Sequence, residues 1–287
     1  MTSKGVTTTK KVKRFNQSPL PFQGQKRNFV KLFRECLIQY DESYTYVDLF
    51  GGSGLLSQNV KATYPGAKVV YNDFDQFSKR LKQIPQTNTI LAKLRLILEH
   101  TDRKGKIVGK YREQVVEMLK QEEKRGYSDW ITLSSNLLFS MNYATTLQSL
   151  IKETMYNKVR LSDYDATGYL QGVKIISSDY KEVFNQYKNK ARVVFLVDPP
   201  YLSTDSATYM SDGYWRLQDY LNVLQVLTDH DYFYFTSNKS QIVELCEWIS
   251  TVSTTANPFA KATRKDVITS TSHNAKYTDI MFHYKNV

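Results

Sequence analysis

Cysteine, histidine and long apolar runs are all scarce in this chain, and each scarcity excludes a class of protein. Two cysteines, Cys36 and Cys246, cannot build a disulfide framework, so a reducing compartment is expected. The four histidines (His100, His230, His273, His283) are scattered, and no Cys/His pair has metal-ligand spacing, so no metal is expected. No apolar run approaches the roughly 18 residues that a membrane span requires. The N-terminus has no hydrophobic signal region either. Acid is also in short supply: 28 Asp and Glu stand against 39 Lys and Arg, a net charge of +11 over 287 residues. That excess favours a polyanionic partner, either nucleic acid or an anionic membrane surface. What is present is material for a sizeable core, 41% apolar residues, enough for one large domain or two smaller ones.

Residues 1–18 carry Lys4, Lys10, Lys11, Lys13 and Arg14 with no acid, and read as a basic flexible tail or an arm that touches phosphate. From Asn28 the pattern is helical. Phe29, Leu32, Phe33, Cys36, Leu37 and Tyr40 share one apolar face, which puts Cys36 in a core. A strand-like run, Tyr44–Phe50, then meets the cluster Gly51-Gly52-Ser53-Gly54, a helix-like Leu55–Val60 and a second apolar run, Ala67–Tyr71, stopping at Asn72-Asp73. Strand, glycine turn, helix and strand make a βαβ unit feeding a parallel sheet.

Residues 77–172 have helical propensity and hold sixteen Lys/Arg against ten Asp/Glu, which reads as an inserted, basic, mainly helical domain. Strand signals resume at Val173–Ser177, Ala191–Val197, Asp231–Thr236 and Thr278–Tyr284, with helices expected over Leu217–Thr228 and Gln241–Ser250. The fold class is therefore α/β, with a sheet domain built from 19–76 and 173–287 around the insertion at 77–172.

Two motifs carry chemistry. Glycines at a strand-to-helix turn let a ligand approach the backbone, and an acid ending the next strand, Asp73, can accept from ribose hydroxyls. The second motif is Asp198-Pro199-Pro200-Tyr201, directly after an apolar strand. Two prolines lock φ and offer no amide donor, so this exit presents only acceptors, Asp198 and the Pro199 carbonyl. Acceptors suit an exocyclic amine conjugated into a heteroaromatic ring: both N–H groups can donate while the lone pair is freed to attack. Tyr201 supplies a face on which the base can stack.

These motifs resemble the Dam-like DNA adenine-N6 methyltransferases. Pro21-Phe-Gln-Gly-Gln-Lys26 is similar to the family's N-terminal motif at Phe22, Gly24 and Lys26, with Gln25 where a second glycine is usual. Asp48-Leu-Phe50-Gly-Gly-Ser-Gly54 is similar to its cofactor loop, Asn72-Asp73 to its ribose position, and Tyr234–Asn238 to the strand ending in Ser-Asn near the target base. The resemblance implies a Rossmann-like fold, S-adenosylmethionine as cofactor and double-stranded DNA as partner, with the target adenine flipped out. It assigns Lys26 to the methionine carboxylate, Asp48 and the backbone of Gly51, Gly52, Ser53 and Gly54 to the methionine portion, Asp73 to the ribose, and Asp179 to the adenine moiety, with Phe22, Gly24 and Phe50 as further cofactor contacts. It makes the insertion a target-recognition domain, with Arg103, Lys104, Lys106, Asn142 and, outside it, Arg264 as candidate DNA contacts. Phe139–Thr145 lacks the stretch that reads GATC in the family, so that site is not assumed.

The resemblance further implies a cytoplasmic, nucleoid-associated protein of bacterial or phage origin, with a cognate restriction endonuclease as a conceivable partner. Cytosine-N4 DNA methylation, adenine-N6 RNA methylation, glutamine methylation of proteins and a catalytically silent nucleic-acid binder remain alternatives. The aromatic segment Tyr209–Trp215 reads either as a lid or as a surface loop, and Arg264-Lys265 as a phosphate contact or a solvated pair.

Overall fold

A computed structural model describes residues 13–139, 142–201, 215–252, 257–272 and 275–286. After a short 3-10 turn, Arg27–Phe29, come α1 (Val30–Leu37), β1 (Thr45–Asp48), α2 (Leu55–Thr63) and β2 (Lys68–Asn72). Next are α3 (Phe77–Lys82), α4 (Ile84–Ile97), α5 (Gly109–Lys124), α6 (Trp130–Ser135) and α7 (Leu147–Lys152). The remainder is β3 (Lys174–Ile176), α8 (Tyr180–Tyr187), β4 (Val193–Val197), α9 (Leu217–Leu224), a 3-10 turn (Gln225–Leu227), β5 (Asp231–Ser237), α10 (Ile242–Val252), β6 (Thr263–Ser272) and β7 (Ala275–Tyr284).

The chain divides into two compact units. One holds the residues up to Gln17, Gln25–Asp75 and Gly168–Val287; the other holds Ser18–Gly24 and Gln76–Thr167. In the first, seven strands form one sheet in the order β3-β2-β1-β4-β5-β7-β6. Strands β3 to β5 are mutually parallel, and β7 and β6 close the sheet as an antiparallel hairpin. The near-continuous apolar runs of β1, β2, β4 and β5 are explained by burial on both faces. Tyr46, Val69, Val194, Leu196, Phe233 and Phe235 meet Phe33 and Leu37 of α1 and Val60 of α2 on one face. The alternate residues Val47, Val70, Phe195, Val197, Tyr232 and Tyr234 meet Val183 of α8, Val223 of α9 and Ile242 of α10 on the other. Cys36 and Cys246 lie in these two opposite layers, each a buried free thiol.

The structure departs from the sequence reading at three points. The tail is not wholly loose: among its described residues, Phe15 packs edge-on against Tyr169 at 4.9 Å. The Phe15 carbonyl accepts from Asn59 and Arg34, and the Lys13 carbonyl from Gln58 at 2.6 Å. Polar side chains on α2, at positions where a core helix would be apolar, are what dock this segment. Lys4, Lys10 and Lys11 lie outside the described residues. Strand β6 was not anticipated, because Thr-Arg-Lys-Asp-Val-Ile-Thr is polar; at the outer edge of a sheet it needs only one partner and little burial. The helix expected over Leu217–Thr228 stops at Leu224 and tightens into the 3-10 turn.

In the second unit, α3 to α7 pack around Ile90, Leu91, Leu94, Val115, Leu119 and Leu133. Its centre holds a buried ion pair, Arg80 Nε to Asp129 Oδ1 at 3.0 Å. Arg80 also donates to the Pro21 carbonyl at 2.8 Å, and Phe22 packs edge-on against Phe77, which explains why residues 18–24 belong to this unit. Asp129 caps α6 by accepting from the Thr132 amide.

Candidate active site

Parallel strands β1 and β4 are neighbours, but the chain leaves them in opposite directions: towards β2 and β3 from one, towards β5 from the other. Connections that diverge in this way open a crevice at the carboxyl ends of the two strands. The glycine turn follows β1 there, and Asp198 follows β4 there.

Asp48, the last residue of β1, is buried. Ser57 Oγ of α2 donates to its Oδ2 at 2.7 Å, while Oδ1 has no hydrogen-bond partner among the described residues. Burial pushes this carboxyl up to about 7; Ser57 and Lys26 oppose the rise, and nearby Asp198 adds to it. The turn that follows is held by backbone bonds, Gly51 N–H to the Asn72 carbonyl and Gly54 N–H to the Gly51 carbonyl. A Cβ on Gly51 would meet the Tyr71 ring at 2.1 Å, and Gly54 has φ +72° as α2 begins. Only glycine fits either place without strain. Tyr71 Oη lies 2.7 Å from the Gly52 carbonyl and 2.8 Å from Asp73 Oδ1, tying the turn to the acid at the end of β2. The Ser53 carbonyl accepts from Tyr169 at 3.0 Å.

Asn72 bridges three strand exits, donating to the Leu49 and Ser178 carbonyls and accepting from the Ser178 amide. Asp179 is exposed and caps α8, with Oδ1 accepting from the Lys181 amide at 2.7 Å. Beside it Phe50, Tyr180 and Trp215 form an aromatic wall, with Phe50–Tyr180 centroids 4.9 Å apart and Phe50–Trp215 5.7 Å. Trp215 is the described part of the aromatic segment; Tyr209–Tyr214 lie outside it.

Asp198 faces Lys26: Nζ lies 2.6 Å from Oδ2, with the two side chains 9% and 18% exposed. Burial pushes the Asp198 carboxyl up to about 6, Lys26 pulls it down, and Asp279 on β7 adds to the rise. The Lys26 ammonium also sits 5.2 Å from the centre of the Tyr201 ring. Pro199 is buried and Pro200 half-buried. At the end of β5, Ser237 is buried, and Asn238 is used structurally: its amide N–H and Oδ1 both bond to the Thr278 backbone, extending the ladder to β7.

Residues 22–231 match the D12 class N6 adenine-specific DNA methyltransferase family. The chain belongs to that family. It is also 35% identical, over 282 residues covering 94% of this chain and 93% of the relative, to a Haemophilus influenzae protein provisionally named a methyltransferase. The seven-stranded sheet is accordingly the Rossmann-like sheet of these enzymes.

For a D12-class chain the structure gathers Lys26, Asp48, Gly51–Gly54, Asp73, Asp198 and Tyr201 in the sheet unit. Phe22 and Gly24 fall in the helical unit, Gly24 with φ +80°. The candidate DNA contacts separate into two kinds. Arg103 is exposed, but its Nη1 donates to Asn157 Oδ1 at 3.1 Å and to the Val159 carbonyl at 2.6 Å, so its guanidinium is already engaged within its own unit. Arg264 is bidentate to Asp266 on the same edge strand, which neutralises it. Lys104, Lys106 and Asn142 are exposed. Sequence reasoning missed Ser57, Tyr71 and Asp279. Each reads locally as helix surface or strand core, and no spacing reports a partner in another element. Among the described residues no helix is long and apolar enough to cross a membrane, and no group of three His, Cys, Asp or Glu is placed to hold a metal.

Proposed function

We propose that this protein transfers a methyl group from S-adenosylmethionine to N6 of an adenine in double-stranded DNA, the base being turned out of the helix. The observation that carries this reading is the placement of the glycine turn and Asp198 on adjacent strands at the point where the strand order diverges. The residues present fit the cofactor. Asp48 Oδ1 is a buried acceptor that no described residue donates to, which suits the ammonium of a methionine moiety, and the turn at Gly51–Gly54 is held open by residues that a side chain would displace. Bound S-adenosylmethionine would supply an electrophilic sulfonium methyl.

The protein's own part is positioning. Asp198 and the Pro199 carbonyl accept from the two amine N–H groups, and the Tyr201 ring supports the base. Holding the reactants in line can contribute several kcal/mol of barrier lowering. Methyl transfer to the nitrogen would leave one amine proton to be released to solvent or to Asp198, whose burial raises its affinity for protons. A thiol nucleophile is not needed, and burial raises both Cys36 and Cys246. An amine inside a stacked duplex cannot be reached, so extrusion is required, at a cost of a few kcal/mol. Phosphate and base contacts from the helical unit, read as a target-recognition domain, would offset it.

Nucleoside mass spectrometry of unmethylated DNA incubated with protein and S-adenosylmethionine tests the reading. N6-methyladenine is the expected product, and Asp198→Ala should abolish it, a loss of at least about a hundredfold, while cofactor binding persists. Methylcytosine in its place, or methylation confined to RNA, would overturn the assignment.

A further inference from the structure

Lys26 and Asp198 are far apart in the chain, yet they make a 2.6 Å ion pair with both side chains largely withdrawn from water. Family resemblance assigns Lys26 to the cofactor's carboxylate; the geometry gives it a different partner. We propose that Lys26 is a positioning residue for methyl transfer, its ammonium clamping Oδ2 of Asp198 so that the carboxylate stays a pure acceptor and its other oxygen is left to the target amine. This rests on the adenine-methylation reading above and deepens it.

The groups around Asp198 show why it needs a cation. Burial favours its protonated form, and the carboxyls of Asp279 on β7 and Asp48 on β1 both repel its charge. Tyr234 on β5 also faces it, and Asp198 raises that phenol further. Lys26 opposes them through direct contact, and it counters the rise at Asp48 and Asp279 as well. Without Lys26, Asp198 would keep its proton near neutrality. A protonated carboxyl directs an O–H at an amine that must itself donate, and that O–H would bind the lone pair on which the reaction depends. The Tyr201 ring face, 5.2 Å from the ammonium, adds a weak cation–π attraction that helps hold Lys26 in place.

The test uses the full chain labelled with 13C at aspartate Cγ. Wild type, Lys26→Met and Lys26→Arg are titrated by NMR, with Asp198→Asn identifying the resonance; Lys26→Gln is included in case the methionine variant does not fold. The same proteins are assayed on DNA for kcat against pH. In Lys26→Met the Asp198 midpoint and the acid limb of kcat should rise together by about one unit or more. Both should return towards wild type in Lys26→Arg. An unmoved midpoint in a folded uncharged variant overturns the inference, whatever the protein methylates. A moved midpoint with an unmoved limb also overturns it, because Lys26 would then serve the carboxylate and not the reaction. Failure of the wild type to methylate adenine overturns the function, and with it the catalytic role given to Lys26; the carboxyl titration then judges the ion pair separately.

Discussion

A carboxylate buried with one oxygen unpartnered is a poor choice for stability and a good one for binding, and Asp48 is such a residue. Its folded pKa, about 7, lies above the ordinary 3.8, so the native state holds the proton more tightly than the unfolded chain. The stabilisation this contributes is full below the ordinary value and is lost as pH rises through about 7. Asp48→Asn removes that loss. Relative to wild type the variant should therefore gain stability between acidic and neutral pH, by up to about 4 kcal/mol, as read from thermal melts across pH. In the same variant the affinity for S-adenosylmethionine should fall at least tenfold, the equivalent of losing a charge-assisted hydrogen bond of about 1.5–3 kcal/mol; calorimetry measures it. Asp73 and Asp198 were legible as candidate site residues because each ends an apolar strand, and Asp48 through the resemblance of the loop that it opens. Sequence gave no sign that the exposed Arg103 bonds within its own unit: its partners, Asn157 and the Val159 carbonyl, are brought to it only by the fold.

At the scale of elements, the turn between β1 and α2 is as constrained as any in the sheet unit. Gly51→Ala would place a Cβ 2.1 Å from the Tyr71 ring and 2.7 Å from the Asn72 carbonyl. The carbonyl is backbone, and the ring is tethered by its hydroxyl to Gly52 and Asp73, so neither can withdraw cheaply. The expected cost is about 1–3 kcal/mol in denaturant unfolding, with cofactor binding abolished in the same calorimetry. Short apolar runs and the glycine cluster made β1, β2, β4, β5 and this turn readable. Strand β6 was not, because an edge strand is selected for polarity on its outer side, and a polar run carries no burial signal. The docking of Phe15 against Tyr169 was equally hidden, since a lone aromatic within a charged tail has no periodicity to report.

For the whole molecule, net charge predicts attraction to polyanions, but not which cations deliver it. Several cations of the helical unit are used internally: Arg80 on Asp129, Arg95 on the Arg160 carbonyl, Arg112 on the Ile151 carbonyl and Lys158 on the Leu138 carbonyl. Under the proposed DNA-binding role, the exposed Lys104 and Lys106 are better candidates for phosphate. Replacing each by Ala should lower the slope of log K against log salt by about 0.9 for every phosphate that is no longer neutralised, measured by fluorescence anisotropy on duplex DNA. Arg103→Ala should instead lower the melting temperature. A variant pair with unchanged salt slope would move the DNA-binding surface elsewhere.

The amino-acid sequence by itself determined the fold class, the place of the glycine turn and the rigid acceptor exit at Asp198. These depend on φ restriction, donor loss at proline and unbroken apolar runs, all properties of neighbouring residues. The tertiary structure decided which charges meet. Lys26 with Asp198, Arg80 with Asp129 and Asp48 without a partner for Oδ1 are outcomes of strand order and packing. A Coulombic pair depends on separation in space and on exclusion of water, and neither quantity is written in chain order.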